Sequence, residues 1–128
     1  MSVRVYLAAG TDGVRALRDS GELRAPAFFV TPAMRAEDPR ADEEDLEYEA
    51  ALLAEEAARE ADAGVVVVAA DVPASSVADV ETPPVVLGPV PRSAVVSLHV
   101  AEHGGGVEDE LLWYDVAELD DVAAYLRI

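Results

Sequence analysis

Gly64-Val65-Val66-Val67-Val68-Ala69-Ala70-Asp71-Val72-Pro73 is the stretch on which the fold turns. Val65 to Ala70 is an unbroken apolar run with four consecutive β-branched residues, closed by a glycine before it and Asp-Val-Pro after it. The run is short for a helix and has no polar alternation, so it predicts a strand buried on both faces. Only an interior strand needs no polar face. The segment is therefore expected at the centre of a sheet, with its backbone paired on both sides.

Upstream, Val3, Val5 and Leu7 alternate with Arg4 and Tyr6, the period of a half-buried strand that Gly10 ends. Thr11 is placed to cap a short helix through Asp19, with Val14 and Leu17 facing inward and Ser20-Gly21 stopping it. Ala27 to Val30 reads as a second strand, ended by Thr31-Pro32. The polar segment 33–41, broken by Pro39, reads as a loop. From about Asp42 to Ala61 the spacing predicts a long helix with one apolar stripe at Leu46, Ala50, Leu53 and Ala57. Asp42, Glu43, Glu44 and Asp45 crowd its first turn, where the helix dipole favours negative charge.

Downstream, Ala74 to Pro84 reads as a loop or single helical turn, and Val85 to Leu87 as a short strand. Ala94 to Val100 is a strand by alternation, Gly104-Gly105-Gly106 a turn, and Glu110 to Tyr114 a last strand. Asp115 and Glu118 form an acidic capping box opening a helix whose Leu119, Val122, Ala123 and Leu126 share one face. The order predicts one α+β domain over residues 1–128. Its mixed sheet would have about five to six strands, with about three helices packed on it.

The 128 residues carry 26 acids against 9 bases, a net charge of −17, and all the bases are Arg. That field repels duplex DNA, RNA and anionic lipid, which argues against nucleic-acid and membrane partners. Solubility, adaptation to high salt, or a surface for a basic partner would each account for it. No cysteine is present, which excludes disulfides and thiol chemistry. No apolar run approaches a membrane span and no signal peptide is visible, so a cytoplasmic location is expected.

The chemical motifs are thin. His103-Gly104-Gly105-Gly106 spells the oxyanion loop of some esterases, but the nucleophile elbow G-x-S-x-G that such enzymes require does not occur. His99 and His103, with Glu102 and Glu108, have ligand chemistry on a support too loose for a metal site. Gly10-Thr11-Asp12-Gly13 joins a strand to a helix but fits no phosphate-binding pattern. Asp71 ends the most buried strand, where α/β enzymes often place a functional acid, yet the second acid of phosphotransfer sites is replaced by Pro73. No cofactor is indicated.

Val30-Thr31-Pro32-Ala33-Met34-Arg35, Glu47-Tyr48, Ala70-Asp71-Val72-Pro73, Gly88-Pro89-Val90-Pro91, Leu98-His99-Val100 and Glu110-Leu111-Leu112-Trp113-Tyr114 occur in this order. Together they resemble an uncharacterised family of small acidic actinobacterial proteins, a domain of unknown function. The sequence departs from that pattern between Ala101 and Asp109, where a glycine turn stands in place of a longer acidic, Ala-rich insertion. The resemblance implies a bacterial cytoplasmic protein and brings no activity with it.

Within these segments Arg35, Tyr48, Asp71, His99, Trp113 and Tyr114 are polar or amphipathic, and Trp, Tyr and Arg are enriched at binding hot spots. Glu43 and Glu47 belong to a run of eight acids against one base between Glu37 and Glu49. The residues therefore point to a non-catalytic accessory protein that presents an acidic helical face and an aromatic patch to a basic protein surface. The alternative is a small enzyme or ligand-binding domain with a pocket near Asp71, His99 and Tyr114. Convergence of Arg35, Tyr48, Asp71, His99 and Trp113 on one concave surface would favour the alternative.

Overall fold

The computed structural model describes residues 1–61, 64–103 and 110–128. Strand β1 (Ser2–Ala8) leads into helix α1 (Gly10–Ser20), short strands β2 (Glu22–Leu23) and β3 (Pro26–Phe28), and helices α2 (Pro32–Glu37) and α3 (Glu43–Ala61). Strands β4 (Val66–Pro73), β5 (Val85–Val86), β6 (Val90–Pro91), β7 (Val95–Val100) and β8 (Leu112–Asp115) follow, and helix α4 (Leu119–Leu126) ends the chain. The order in the main sheet is β5-β3-β1-β4-β7-β8, and β2 pairs with β6 in a separate two-stranded sheet.

β4 is interior, as its composition requires, paired with β1 on one side and β7 on the other. Val66, Val67, Val68, Ala69 and Ala70 are all buried. The class is α+β with six strands in the main sheet, but every pairing is antiparallel where a mixed sheet was expected. A mixed sheet needs at least one parallel pairing, and none forms among the described strands. Instead α1 leads into β2, which pairs with β6, and β3 then runs back against β1.

The strands alternate between two faces. Val5, Leu7, Val68, Leu98 and Val100 share the main core with Val14 and Leu17 of α1 and Leu119 and Val122 of α4. Tyr6, Phe28 and Val67 form a second, smaller core with Ala54 and Ala57 of α3. Helices thus cover the sheet from both sides.

Three local readings change. The segment after Thr31-Pro32 is helical rather than a loop. Thr31 Oγ1 accepts from the Met34 amide at 3.2 Å and Pro32 takes the first turn, a start signal in which the missing proline N–H costs nothing. Thr11 is not a cap: α1 begins at Gly10, whose φ of 65° favours glycine, and Ala9 precedes it without a side-chain cap. The buried stripe of α3 is Leu46, Ala50, Ala54 and Ala58, while Leu53 is 40% exposed. Bulky Tyr6 and Phe28 occupy the sheet beneath, so the helix turns its smallest side chains toward them. The carboxyl-terminal capping box forms as expected: the Asp115 amide donates to Glu118 Oε1 at 3.0 Å and the Ala117 amide to Asp115 Oδ1 at 2.9 Å. The box opens a single 3-10 turn that continues into α4. The Gly104-Gly105-Gly106 turn and Glu108 lie outside the described residues.

Candidate functional site

The site follows from the position of α3. Its sheet contacts are with β1, β3 and β4, and the same face continues past it onto β7 and β8. His99 and Trp113, a directly paired couple on those two strands, project on this side because their register continues that of Val67. Trp113 is 62% exposed and Tyr48, on the flank of α3, is 66% exposed. Between the helix flank and the strands lies an open cleft of about 530 Å³. Val67, His99, Leu111 and Trp113 line it from the sheet side, and Tyr48, Ala51 and Leu52 from the helix. Tyr6 and four carboxylates complete the lining: Glu44, Glu47 and Glu55 from α3, and Glu110 from the segment before β8.

The polar contacts at the floor are specific. Tyr6 Oη donates to Glu47 Oε2 at 3.4 Å. Burial first, and the neighbouring Glu47 carboxylate second, push the Tyr6 phenol up to about 12. It therefore stays a neutral donor. Glu47 also lines a neighbouring cleft of about 790 Å³, together with Arg4, Arg35, Glu43 and Glu81. Arg4 Nε lies 2.6 Å from Asp71 Oδ1 and its Nη2 lies 3.2 Å from Oδ2, a two-point pair across β1 and β4. Arg35 Nη2 reaches Glu43 Oε1 at 2.7 Å. Both guanidiniums of this second cleft are thus already engaged by carboxylates.

His99 is half-buried, and desolvation lowers its pKa below the ordinary 6.5, leaving the imidazole neutral near pH 7. Its Nε2 lies 2.9 Å from Ser97 Oγ. Its ring meets Trp113 edge-on, with centroids 6.4 Å apart. Ser97 is buried and does not line the cleft, so the pair orients the imidazole rather than presenting a hydroxyl to a ligand.

The fold thus brings Glu47, Tyr48, His99 and Trp113 together, and places Arg35 and Glu43 in the adjoining cleft. Three residues separate from the group. Tyr114 packs on the main core, on the opposite face from His99 and Trp113. Successive strand residues point to opposite faces, so a pocket shared by His99 and Tyr114 does not form. Asp71 is on the right face, but its carboxylate is held by Arg4. His103 leaves the sheet altogether: its ring stacks on Tyr125 at 4.2 Å, and its amide donates to Tyr125 Oη.

Tyr6, Leu52, Leu111, Glu55 and Glu110 also line the cleft without having been singled out from the sequence, while Glu44 belongs to the acid run read there. The signal for Leu52 was present: Tyr48, Ala51, Leu52 and Glu55 fall at i, i+3, i+4 and i+7, a second stripe beside the buried one. Tyr6 was visible only as an outward residue of a half-buried strand. Among the described residues no three His, Asp or Glu side chains are grouped to hold a metal ion, and no helix is long and apolar enough to cross a membrane.

A family of unknown function (DUF6912) matches residues 3–109, which takes in α3, β4 and β7 and stops short of β8 and α4. The matched span contains Tyr48 and His99 but not the Glu110 to Trp113 side of the cleft. No curated protein and no solved structure matches the chain at a significant level. With most of its length inside the matched span, the chain belongs to this family of unknown function.

Proposed function

We propose that this protein is an interaction module that binds a basic, partly apolar segment of another protein in the cleft between α3 and β8. The observation that carries the reading is the meeting of two largely exposed aromatics, Tyr48 and Trp113, with Glu44, Glu47 and Glu110 around them. Exposed Trp and Tyr rings beside carboxylates suit a cationic side chain, since the ring face attracts the cation and the carboxylates neutralise it. Apolar Leu52 and Leu111 supply area for the uncharged part of the ligand. The net charge of −17 adds long-range attraction and faster encounter.

Trp113 is the only tryptophan in the chain, so its emission reports the cleft directly. A synthetic Lys/Leu peptide should shift that emission at low salt, and a Glu/Leu counterpart should not. Binding should weaken as salt is raised. A triple variant Glu44→Gln, Glu47→Gln, Glu110→Gln should bind more weakly than a control variant with the same charge change on the α1/α4 side, Asp12→Asn, Asp19→Asn, Asp120→Asn. Equal weakening by both triples would mean that net charge alone attracts the peptide, and the cleft would lose its role.

A further inference from the structure

The main sheet is covered unevenly. On the face of Val5, Val68 and Leu98, α1 and α4 contribute Val14, Leu17, Leu119 and Val122 to one continuous core. On the other face α3 packs on β3, β1 and β4 alone among the main-sheet strands it meets closely. Among the described residues, β7 and β8 are the strands left beside it, and β8 is the outermost strand on that side. Neighbouring strands lie about 4.8 Å apart, so two strands make a strip about 10 Å wide. An α-helix with its side chains is about 10–12 Å across. The strip is one helix wide.

Its chemistry runs in order along α3. Only residues 62–65 separate α3 from β4, so the helix runs back antiparallel to that strand. Its amino-terminal end therefore lies toward Arg4 and Asp71, and its carboxyl-terminal end toward Val66 and Leu112. Glu44 and Glu47 mark the first end of the strip. Tyr48, Leu52 and Trp113 make an apolar middle, and Glu110 with Leu111 lies at the far end. Glu55, also at that end, is paired with Arg59 at 3.3 Å.

We infer that the occupant is an amphipathic α-helix of the partner, lying alongside α3 over β7 and β8 and completing the incomplete layer. This rests on the reading of the cleft as a site for a basic segment and adds the ligand's conformation and charge pattern. The docked helix carries apolar residues at i, i+3, i+4 and i+7 against Trp113, Tyr48 and Leu52. Lys or Arg stands at both ends, opposite Glu44 and Glu47 at one and Glu110 at the other. Helix-in-groove recognition works through this spacing, with the apolar anchors giving affinity and the rim charges giving register. A second copy of this chain is disfavoured as occupant, because it would bring a further −17 to the same acids.

The test uses the full chain and two synthetic peptides of about 14 residues with identical composition and charge. One places Leu at i, i+3, i+4 and i+7 with Lys at both ends; the other alternates Leu and polar residues at strand period. The helical-pattern peptide should bind about tenfold tighter or more. It should shift Trp113 emission and gain helical circular dichroism on binding, and Leu52→Asp should remove that preference. Equal binding of both peptides, each shifting Trp113, would overturn the helix while leaving the cationic cleft standing. Binding without a Trp113 shift would overturn the placement over β7 and β8. Failure of both peptides to bind at low salt would sink the cleft reading and this inference together.

Discussion

Arg4 and Asp71 face each other across the β1–β4 pair and join through two hydrogen bonds, at 2.6 and 3.2 Å, beside the amino-terminal end of α3. Each side chain retains more than a third of its exposure, 35% for Arg4 and 40% for Asp71, so solvent screens the pair. Its task is positional. It holds the Arg4 guanidinium on Asp71 at the edge of the cleft that Arg4 shares with Glu47.

A double-mutant cycle of Arg4→Gln and Asp71→Asn should give a coupling of about 0.5–1 kcal/mol in chemical denaturation. The hydrogen bond from Arg4 holds the Asp71 carboxyl below its ordinary value of 3.8. A lowered folded-state pKa means that this contribution is present above pH 3.8 and is lost as the pH falls through the folded value. Coupling that persists below that point would show that the pair is not acting through charge.

The stripe of α3 gives a contrast between adjacent residues. Ala54 is fully buried against Phe28 and Val67, so Ala54→Leu overpacks that small core and should cost about 1–3 kcal/mol. Leu53 is 40% exposed, and Leu53→Ala should change stability by no more than about 0.5 kcal/mol. Urea midpoints for the two variants decide the matter. The reverse order would return the helix to the Leu46, Ala50, Leu53, Ala57 face.

His99 and Trp113 provide a spectroscopic check. Protonation of the imidazole beside the indole should quench Trp113 emission, with a midpoint below 6.5 because burial disfavours the charged ring. The unfolded chain takes up this proton at a higher pH than the folded one. Stability should therefore fall as the pH drops from 6.5 through the folded-state value. In His99→Gln both the quenching step and that part of the pH slope should vanish. A midpoint at or above 6.5 would mean that the ring is solvated and the cleft wider than described.

At the carboxyl end, Asp115→Ala removes the acceptor for the Ala117 amide and should lower stability by about 1 kcal/mol. Asp115→Asn, which keeps an acceptor oxygen, should recover most of the loss. An unchanged midpoint in the alanine variant would show that the capping box contributes nothing to seating Leu119 and Val122 on the sheet.

Local periodicity and residue chemistry made much of this molecule legible. The run Val65 to Ala70 specified an interior strand because unbroken apolar, β-branched sequence has no stable solvent-facing side. The helix over Glu43–Ala61 and the Asp115–Glu118 box followed from spacing and capping, which act over a few residues. The Thr31-Pro32 start of α2 was equally local and was passed over because its helix is short and polar.

What only the tertiary structure decided depends on packing between distant segments. Strand direction was one such property: α1 leads into β2, which pairs with β6 far along the chain, and β3 then returns antiparallel to β1. The exposed part of the site was another. Tyr48 and Trp113 line one cleft because α3 sits over β3, β1 and β4, seated there by Ala54 and Ala57 against Tyr6, Phe28 and Val67. Neither segment's own pattern encodes that lateral placement, since it is set by the fit of side-chain volumes across two layers. Register settled the remainder. It put Trp113 with His99 in the cleft and turned Tyr114, the next residue, into the opposite core.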